Sequence, residues 1–119
     1  MGKKILIVDD SATARAMFRM CMSENSEYEI IQSGEWQDAL QKAIDEKPFL
    51  VVLDYNMPEK LGSELGKLMQ EQGVKAHFVL MTANTQRSVI KEVNDLGFSQ
   101  VIEKPVSVEI MEKLLSDFE

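Results

Sequence analysis

Short apolar runs alternate along this chain with stretches in which apolar residues recur every three or four positions. The five runs are Ile5 to Val8, Tyr28 to Ile31, Phe49 to Leu53, Phe78 to Met81 and Val101 to Ile102. Continuous apolar runs of this length are typical of strands buried on both faces, whereas the intervening period is that of helices with one apolar face. The pattern therefore predicts an α/β fold, with five parallel strands covered by five helices.

The helical stretches supply the side chains that we expect to cover the sheet. They include Met17 and Cys21 in the first stretch, Ile44 in the second and Ile90 in the fourth. The chain has 119 residues, and its 45% hydrophobic content suffices for one core. No repeat or linker interrupts the pattern, so residues 1–119 are predicted to form one domain.

Charge and hydropathy exclude some classes of partner. Thirteen Lys and Arg stand against twenty Asp and Glu, for a formal net charge of -7, whereas a nucleic-acid backbone requires a cationic surface. The apolar run from Phe49 to Leu53 is far shorter than the ~20 residues that span a bilayer. We therefore expect a soluble, cytoplasmic protein that binds neither nucleic acid nor membrane.

Reactive side chains follow four of the five apolar runs. The first run ends at Asp9 and Asp10, the third at Asp54, the fourth at Thr82, and the fifth is followed by Lys104. In a sheet of this kind ligands gather outside the carboxyl ends of the strands, so these groups should converge. The sequence thus predicts a site with three carboxylates, a hydroxyl and an ammonium group.

Three carboxylates held together raise one another's pKa unless a hard divalent cation neutralises them. Mg²⁺ is the expected ion, because it accepts one or two carboxylates and leaves positions for phosphate oxygens. An Asp carboxylate can act as a nucleophile, and Lys104 and Thr82 could contact phosphoryl oxygens. Taken singly, these residues have plainer explanations: Asp10 or Ser11 could cap the first helix, and Asp54 could open a turn.

Four motifs occur in order at these positions. They are Ile-Leu-Ile-Val-Asp-Asp-Ser at 5–11, Val-Leu-Asp-Tyr-Asn-Met-Pro at 52–58 with Gly62, Met-Thr-Ala at 81–83, and Lys-Pro at 104–105. With these motifs the chain resembles the response regulator receiver domains, and in particular their single-domain, chemotaxis CheY-like branch. The resemblance implies a flavodoxin-like doubly wound fold with strand order 2-1-3-4-5.

The resemblance also implies a function in two-component signalling. Asp54 would accept a phosphoryl group from a phosphohistidine on a sensor histidine kinase or phosphotransfer protein. Mg²⁺ would be bound by Asp10, Asp54 and the backbone carbonyl of Asn56, with Asp9 acting through water. Such domains catalyse their own phosphorylation and dephosphorylation, so the chain is expected to be a monomeric signalling switch rather than an enzyme.

Further roles follow from the same resemblance. Thr82 and Lys104 would be switch residues, Ala83 the small residue that keeps the phosphoryl site open, and the Lys104-Pro105 peptide bond cis. The output would be docking on an unidentified downstream protein, or passing phosphate between regulators. Two positions depart from the family pattern: Val101 replaces the usual aromatic residue, and Phe98 replaces a small one. The rotating-aromatic switch is therefore expected to be weakened.

Two other classes of protein share part of the pattern. A phosphatase of the haloacid dehalogenase type also combines Asp, Thr, Lys and Mg²⁺, but it needs a second Asp where this chain has Asn56. A flavodoxin needs a Ser/Thr/Gly-rich loop after the first strand, where this chain has Asp9 and Asp10. Phosphomonoester turnover and bound flavin would identify these alternatives.

Overall fold

The computed structural model describes residues 3–22, 27–83 and 87–118. Strands and helices alternate throughout these residues. In chain order they are β1 (Lys3–Val8), α1 (Ala12–Cys21), β2 (Tyr28–Ser33), α2 (Trp36–Glu46), β3 (Leu50–Asp54), α3 (Gly62–Glu71), β4 (His77–Thr82), α4 (Arg87–Asp95), β5 (Gln100–Glu103) and α5 (Val108–Phe118).

The five strands form one parallel sheet in the order β2-β1-β3-β4-β5. The predicted α/β class and strand order are thus confirmed. β3 lies at the centre, paired with β1 on one side and β4 on the other, and all five of its residues are buried. Asp54, the last residue of β3, therefore stands in the middle of the carboxyl edge.

The sheet separates two apolar layers. One face packs against α2, α3 and α4, with Leu53 and Leu80 among its strand residues. The other packs against α1 and α5 through Ile7 and Val52, with Phe18 fully buried. Because neighbouring strand residues point to opposite faces, both layers draw on the same continuous apolar runs.

Some side chains that we expected in the core are exposed. The exposed fraction is 41% for Met17, 37% for Ile44 and 38% for Ile90, and Cys21 is only partly buried. Apolar spacing marks one side of a helix, but the sheet covers a narrower stripe than that spacing suggests. None of the described helices has the length and apolar content that a membrane span requires.

Candidate functional site

The carboxyl edge of the sheet brings together side chains that are distant in sequence. Asp9 follows β1, Asp54 and Thr82 end β3 and β4, and Lys104 follows β5. The Lys104 backbone N–H donates to the Thr82 carbonyl over 2.9 Å, which fixes the end of β5 beside β4. The Lys104-Pro105 peptide bond is cis, as the resemblance implies.

Asp9 is the most enclosed of the acidic groups. It is fully buried, and its Oδ1 accepts a hydrogen bond from the Ser11 backbone N–H at 2.9 Å. Arg15 Nη1 donates to the Asp9 carbonyl oxygen at 2.6 Å. The Ser11 hydroxyl caps α1 by accepting a hydrogen bond from the Ala14 backbone N–H at 3.2 Å. Ser11, and not Asp10, is therefore the N-cap of this helix. The turn after β1 is therefore held by its own hydrogen bonds.

Three carboxylates meet at this edge. One oxygen from each of Asp9, Asp10 and Asp54 lies within 4.8 Å of the others, with Asp10 exposed and the other two buried. Burial raises the pKa of Asp54; the hydrogen bond from Lys104 opposes this, and the charge of Asp9 adds to it. Burial disfavours the charged form of the Asp54 carboxylate, and two further acids lie beside it. A cluster of this kind is suited to binding a hard divalent cation such as Mg²⁺.

Lys104 joins the two buried acids. Its Nζ lies 2.7 Å from Asp9 Oδ2 and 3.1 Å from Asp54 Oδ1. Burial alone would lower the pKa of Lys104, but hydrogen bonds to both carboxylates outweigh it and the pKa is raised. The ammonium group is therefore charged and lies directly beside the Asp54 carboxylate.

The remaining predicted residues surround this cluster. Asn56 is exposed, and its backbone hydrogen bond to Asp54 lowers the pKa of that carboxyl. Thr82 is buried at the end of β4, and Ala83 after it is exposed. Their roles in metal binding and switching stay predictions, as do those of Asp9, Asp10, Asp54 and Lys104.

Gly62 lies where α3 begins directly against β3. It is the first residue of α3, and it donates its backbone N–H to the Tyr55 carbonyl at 2.9 Å. A Cβ atom built on Gly62 would overlap the carbonyl oxygen of Asp54. Glycine is therefore needed because α3 begins directly against the strand that carries Asp54, not because of an unusual φ angle.

Tyr55 lies close enough to Glu92 of α4 for the charge of that residue to affect it, a proximity that the sequence did not indicate. Tyr55, next to Asp54, is half-buried and packs against the layer beneath α2, α3 and α4. Burial raises the pKa of Tyr55, and the nearby negative charge of Glu92 adds to this rise. No motif links the two positions, and a helical period does not report which side chain reaches across to a loop.

A cavity of about 300 Å³ opens beside the acidic cluster. Ala14 and Met17 of α1 line it, as do Pro105 and Val106 after β5. Lys104 also borders it. The exposed side chain of Met17 thus has a defined place, at the edge of an apolar recess next to the site.

Comparison with known proteins supports the resemblance. The family model described as the response regulator receiver domain matches residues 5–116. The alkaline phosphatase synthesis transcriptional regulatory protein PhoP of Bacillus subtilis is 33% identical over 107 residues, which are 90% of this chain and 44% of that protein. The chain thus spans less than half the length of this relative.

Single-domain relatives match over most of their length. The chemotaxis protein CheY of Thermotoga maritima is 30% identical over 106 residues, 88% of this chain and 88% of that protein. The solved structure of the chemotaxis protein CheY4 of Vibrio cholerae superposes with a TM-score of 0.91 at 26% identity, covering 98% of both chains. The chain belongs to the response regulator receiver domain family.

Proposed function

We propose that this chain is a phosphorylation switch in which Asp54 accepts a phosphoryl group, and that residues 1–119 act as one receiver domain. The observation that supports it best is the position of Asp54 at the central strand end, 3.1 Å from Lys104 Nζ and within 4.8 Å of two further acids. Receiver domains in general are signalling switches that bind Mg²⁺ at an acidic pocket.

Each residue has a role in this proposal. The Asp54 carboxylate attacks the phosphorus of the donor, the bond from phosphorus to the donor breaks, and an acyl phosphate forms on Asp54. Lys104 then exchanges part of its contact with Asp54 for the phosphoryl oxygens, and the Thr82 hydroxyl donates to another of them. Ala83 leaves room for the group because it has no side chain beyond Cβ.

The acidic residues supply the metal site. Asp10, Asp54 and the Asn56 carbonyl would hold Mg²⁺, with Asp9 contributing through water. When bound, the ion offsets the negative charge that gathers on the carboxylates and the phosphoryl group. Asp9 has a second task, because its buried carboxylate holds Lys104 in place.

The donor is proposed to be a phosphohistidine on a sensor kinase or phosphotransfer protein. The cavity between α1 and the segment after β5 supports this, because an apolar recess bordered by Met17, Val106 and Lys104 can receive a partner beside Asp54. The output is proposed to be docking on a chemotaxis-type partner or transfer of phosphate onward. The CheY relatives favour the first.

Mass spectrometry tests the phosphorylation. Incubation with acetyl phosphate and Mg²⁺ should add one phosphoryl group, about 80 Da, and Asp54→Asn should not gain it. Asp45→Asn, which removes an exposed acid from α2, is the matched control and should gain the group. A gain that persists in Asp54→Asn contradicts the assignment, and steady turnover of a phosphomonoester would indicate a phosphatase instead.

A further inference from the structure

The methionines of this chain divide into two groups by exposure. The chain has eight of them, and the structure describes all except Met1. Five of the described methionines are at most 8% exposed, namely Met22, Met57, Met69, Met81 and Met111. Met17 and Met20 are 41% and 72% exposed, and both lie on α1. Among the described residues, solvent therefore reaches two methionine side chains, and one helix carries both.

Cys21 is a further sulfur on this helix, and its environment makes it less reactive. It is partly buried, and its Sγ donates to the Val106 carbonyl oxygen over 3.8 Å. Burial first, and then the charge of Glu109, raise the pKa of the thiol. Because the thiolate is the reactive form, Cys21 should react with oxidants more slowly than an unperturbed thiol. Met17 and Met20 are thus the sulfur-containing residues of α1 that are most open to oxidants.

The two exposed methionines differ in their surroundings. Met17 borders the apolar cavity beside the acidic cluster, together with Ala14 of its own helix and with Pro105 and Val106. Met20 lies three residues farther along α1 and is not among the described residues that line this cavity. A chemical change on Met17 therefore alters the cavity, whereas the same change on Met20 alters exposed surface alone.

Hydroperoxides convert an exposed thioether into a sulfoxide. A sulfur lone pair attacks one peroxide oxygen, the O–O bond breaks as the S–O bond forms, and proton transfer releases water from hydrogen peroxide or an alcohol from an organic hydroperoxide. The sulfur gives up two electrons, which the peroxide takes up. The side chain changes from apolar to polar, and a polar group without a hydrogen-bond partner is unfavourable in an apolar contact.

We propose that Met17 is a redox-sensitive modification site whose oxidation by a hydroperoxide makes the cavity polar and slows phosphoryl transfer from a protein donor. The effect on transfer rests on the proposed docking of a phosphohistidine protein over this cavity. Acetyl phosphate is small enough to reach Asp54 without covering the cavity, so its reaction should not change. The modification is reversible, because methionine sulfoxide reductases restore the thioether. Oxidation would therefore separate Asp54 from its protein donor without inactivating it.

Peptide mapping after brief treatment with hydrogen peroxide locates the modification. Met17 and Met20 should each gain one oxygen, about 16 Da, at a dose that leaves Met22 and Met111 unmodified. Met22 is a stringent reference, because it is the C-cap residue of the same helix yet only 4% exposed. Protein unfolded in urea should lose this selectivity. Oxidation of Met22 or Met111 as fast as Met17 in the folded protein would overturn the inference.

Phosphoryl transfer measures the consequence. The donor is a sensor-kinase histidine domain carrying phosphohistidine, chosen as the one that transfers fastest to the untreated protein, and it is added after the peroxide has been removed. Transfer to the original protein and to Met20→Leu should slow at least about fivefold after oxidation, whereas Met17→Leu should not show this slowing. Each protein is compared with its own untreated sample, so that any effect of the substitution itself cancels. Sulfoxide reductases should restore the transfer.

Polar substitutions provide a test without an oxidant. Met17→Gln places a polar side chain at the cavity and should slow transfer from the phosphohistidine domain. Met20→Gln is the matched control on exposed surface and should transfer like the original protein. Both variants should react normally with acetyl phosphate, because neither side chain touches the acidic cluster in the proposed role.

The outcomes separate the inference from the function on which it rests. Slowing that persists in Met17→Leu, or unchanged transfer to oxidised original protein, overturns the inference. Equal slowing with acetyl phosphate also overturns it, because the damage then lies at the acidic cluster. If no phosphohistidine domain transfers to a protein that acetyl phosphate phosphorylates, the cavity is not a donor surface and the inference is wrong. If the untreated protein gains no phosphoryl group from acetyl phosphate with Mg²⁺, the proposed phosphorylation itself is wrong, whatever the peptide map shows for Met17.

Discussion

The ring of Phe98 fills the space above the backbone of Gly66. A Cβ atom on Gly66 would overlap the edge of this ring, and the same ring stacks on Phe78 with the centroids 5.5 Å apart. Phe98 is only 5% exposed. The large residue that departs from the family pattern is therefore matched by the absence of a side chain on α3, so the two positions form one packing unit.

Substituting a large residue at Gly66 and a small one at Phe98, singly and together, tests whether the two positions pack as one unit. Gly66→Leu should destabilise the fold by about 1–3 kcal/mol because the new side chain meets the ring, and Phe98→Ala by about 3–5 kcal/mol because it leaves a cavity. The double variant should be more stable than the sum of the two losses predicts. Urea denaturation measures all four proteins, and strictly additive losses would show that the positions are independent.

The second prediction concerns Val101, which is half-buried and packs against the layer that contains Phe98. A valine is too short to fill the space left by Thr82 when its hydroxyl moves to a phosphoryl oxygen. Val101→Tyr should therefore enlarge the NMR shifts of α4, β5 and α5 on adding beryllofluoride, with little change in phosphorylation rate. Val108→Tyr, an exposed position on α5, is the control. Large shifts already present in the original protein, with none added by Val101→Tyr, would contradict this.

Magnesium should stabilise the folded protein, because an ion that binds only the folded state raises the free energy of unfolding. Melting curves with and without Mg²⁺ should show a higher Tm with the ion. Asp10→Ala should abolish the increase, whereas Asp45→Ala, which removes an exposed acid from α2, should retain it. An equal increase in Asp10→Ala would mean that the ion binds elsewhere.

Replacing Lys104 should lower the stability of the metal-free protein but should not reduce the stabilisation that Mg²⁺ provides. Lys104→Ala leaves two buried carboxylates without their cation, which should cost about 2 kcal/mol in metal-free buffer. Mg²⁺ should then stabilise the variant at least as much as the original protein, while the NMR response to beryllofluoride shrinks. Loss of metal binding in this variant would place Lys104 in the metal site instead.

Asp38 in the first turn of α2 provides a prediction about pH. The Ser33 hydroxyl and then Lys42 lower its pKa below 3.8. The folded state therefore binds this proton less tightly than the unfolded state, so the stabilisation is present above pH 3.8 and is lost as pH falls through the folded pKa. Asp38→Asn should cost roughly 0.5 kcal/mol at pH 7, since the group is half-exposed. The difference should vanish in the most acidic melts; a constant difference would contradict the assignment.

The strand-end residues were predictable because a parallel sheet places all carboxyl ends at one edge. That rule alone predicted the proximity of Asp9, Asp54 and Lys104, whose positions in the sequence are far apart. The order of the strands required the family resemblance, since apolar periodicity is the same for any order.

Other features depend on side-chain shape and reach. Helical spacing could not show that Met17 borders a cavity, because it reports direction but not how far the sheet extends. The fit of Phe98 over Gly66 requires knowing which two elements touch. The proximity of Tyr55 to Glu92 depends on the length and direction of both side chains, neither of which leaves a repeating signal in the sequence.

The complete burial of β3 affects how long a signal could last. Strands at the centre of a sheet open to solvent only when the whole domain unfolds, so amide hydrogen exchange should be slowest there. An acyl phosphate on Asp54 would therefore meet water from the loop side alone, past Asn56 and Ala83, and not through opening of the strand. The lifetime of the signal can then be adjusted by substitutions in these loops while the stability of the domain stays the same.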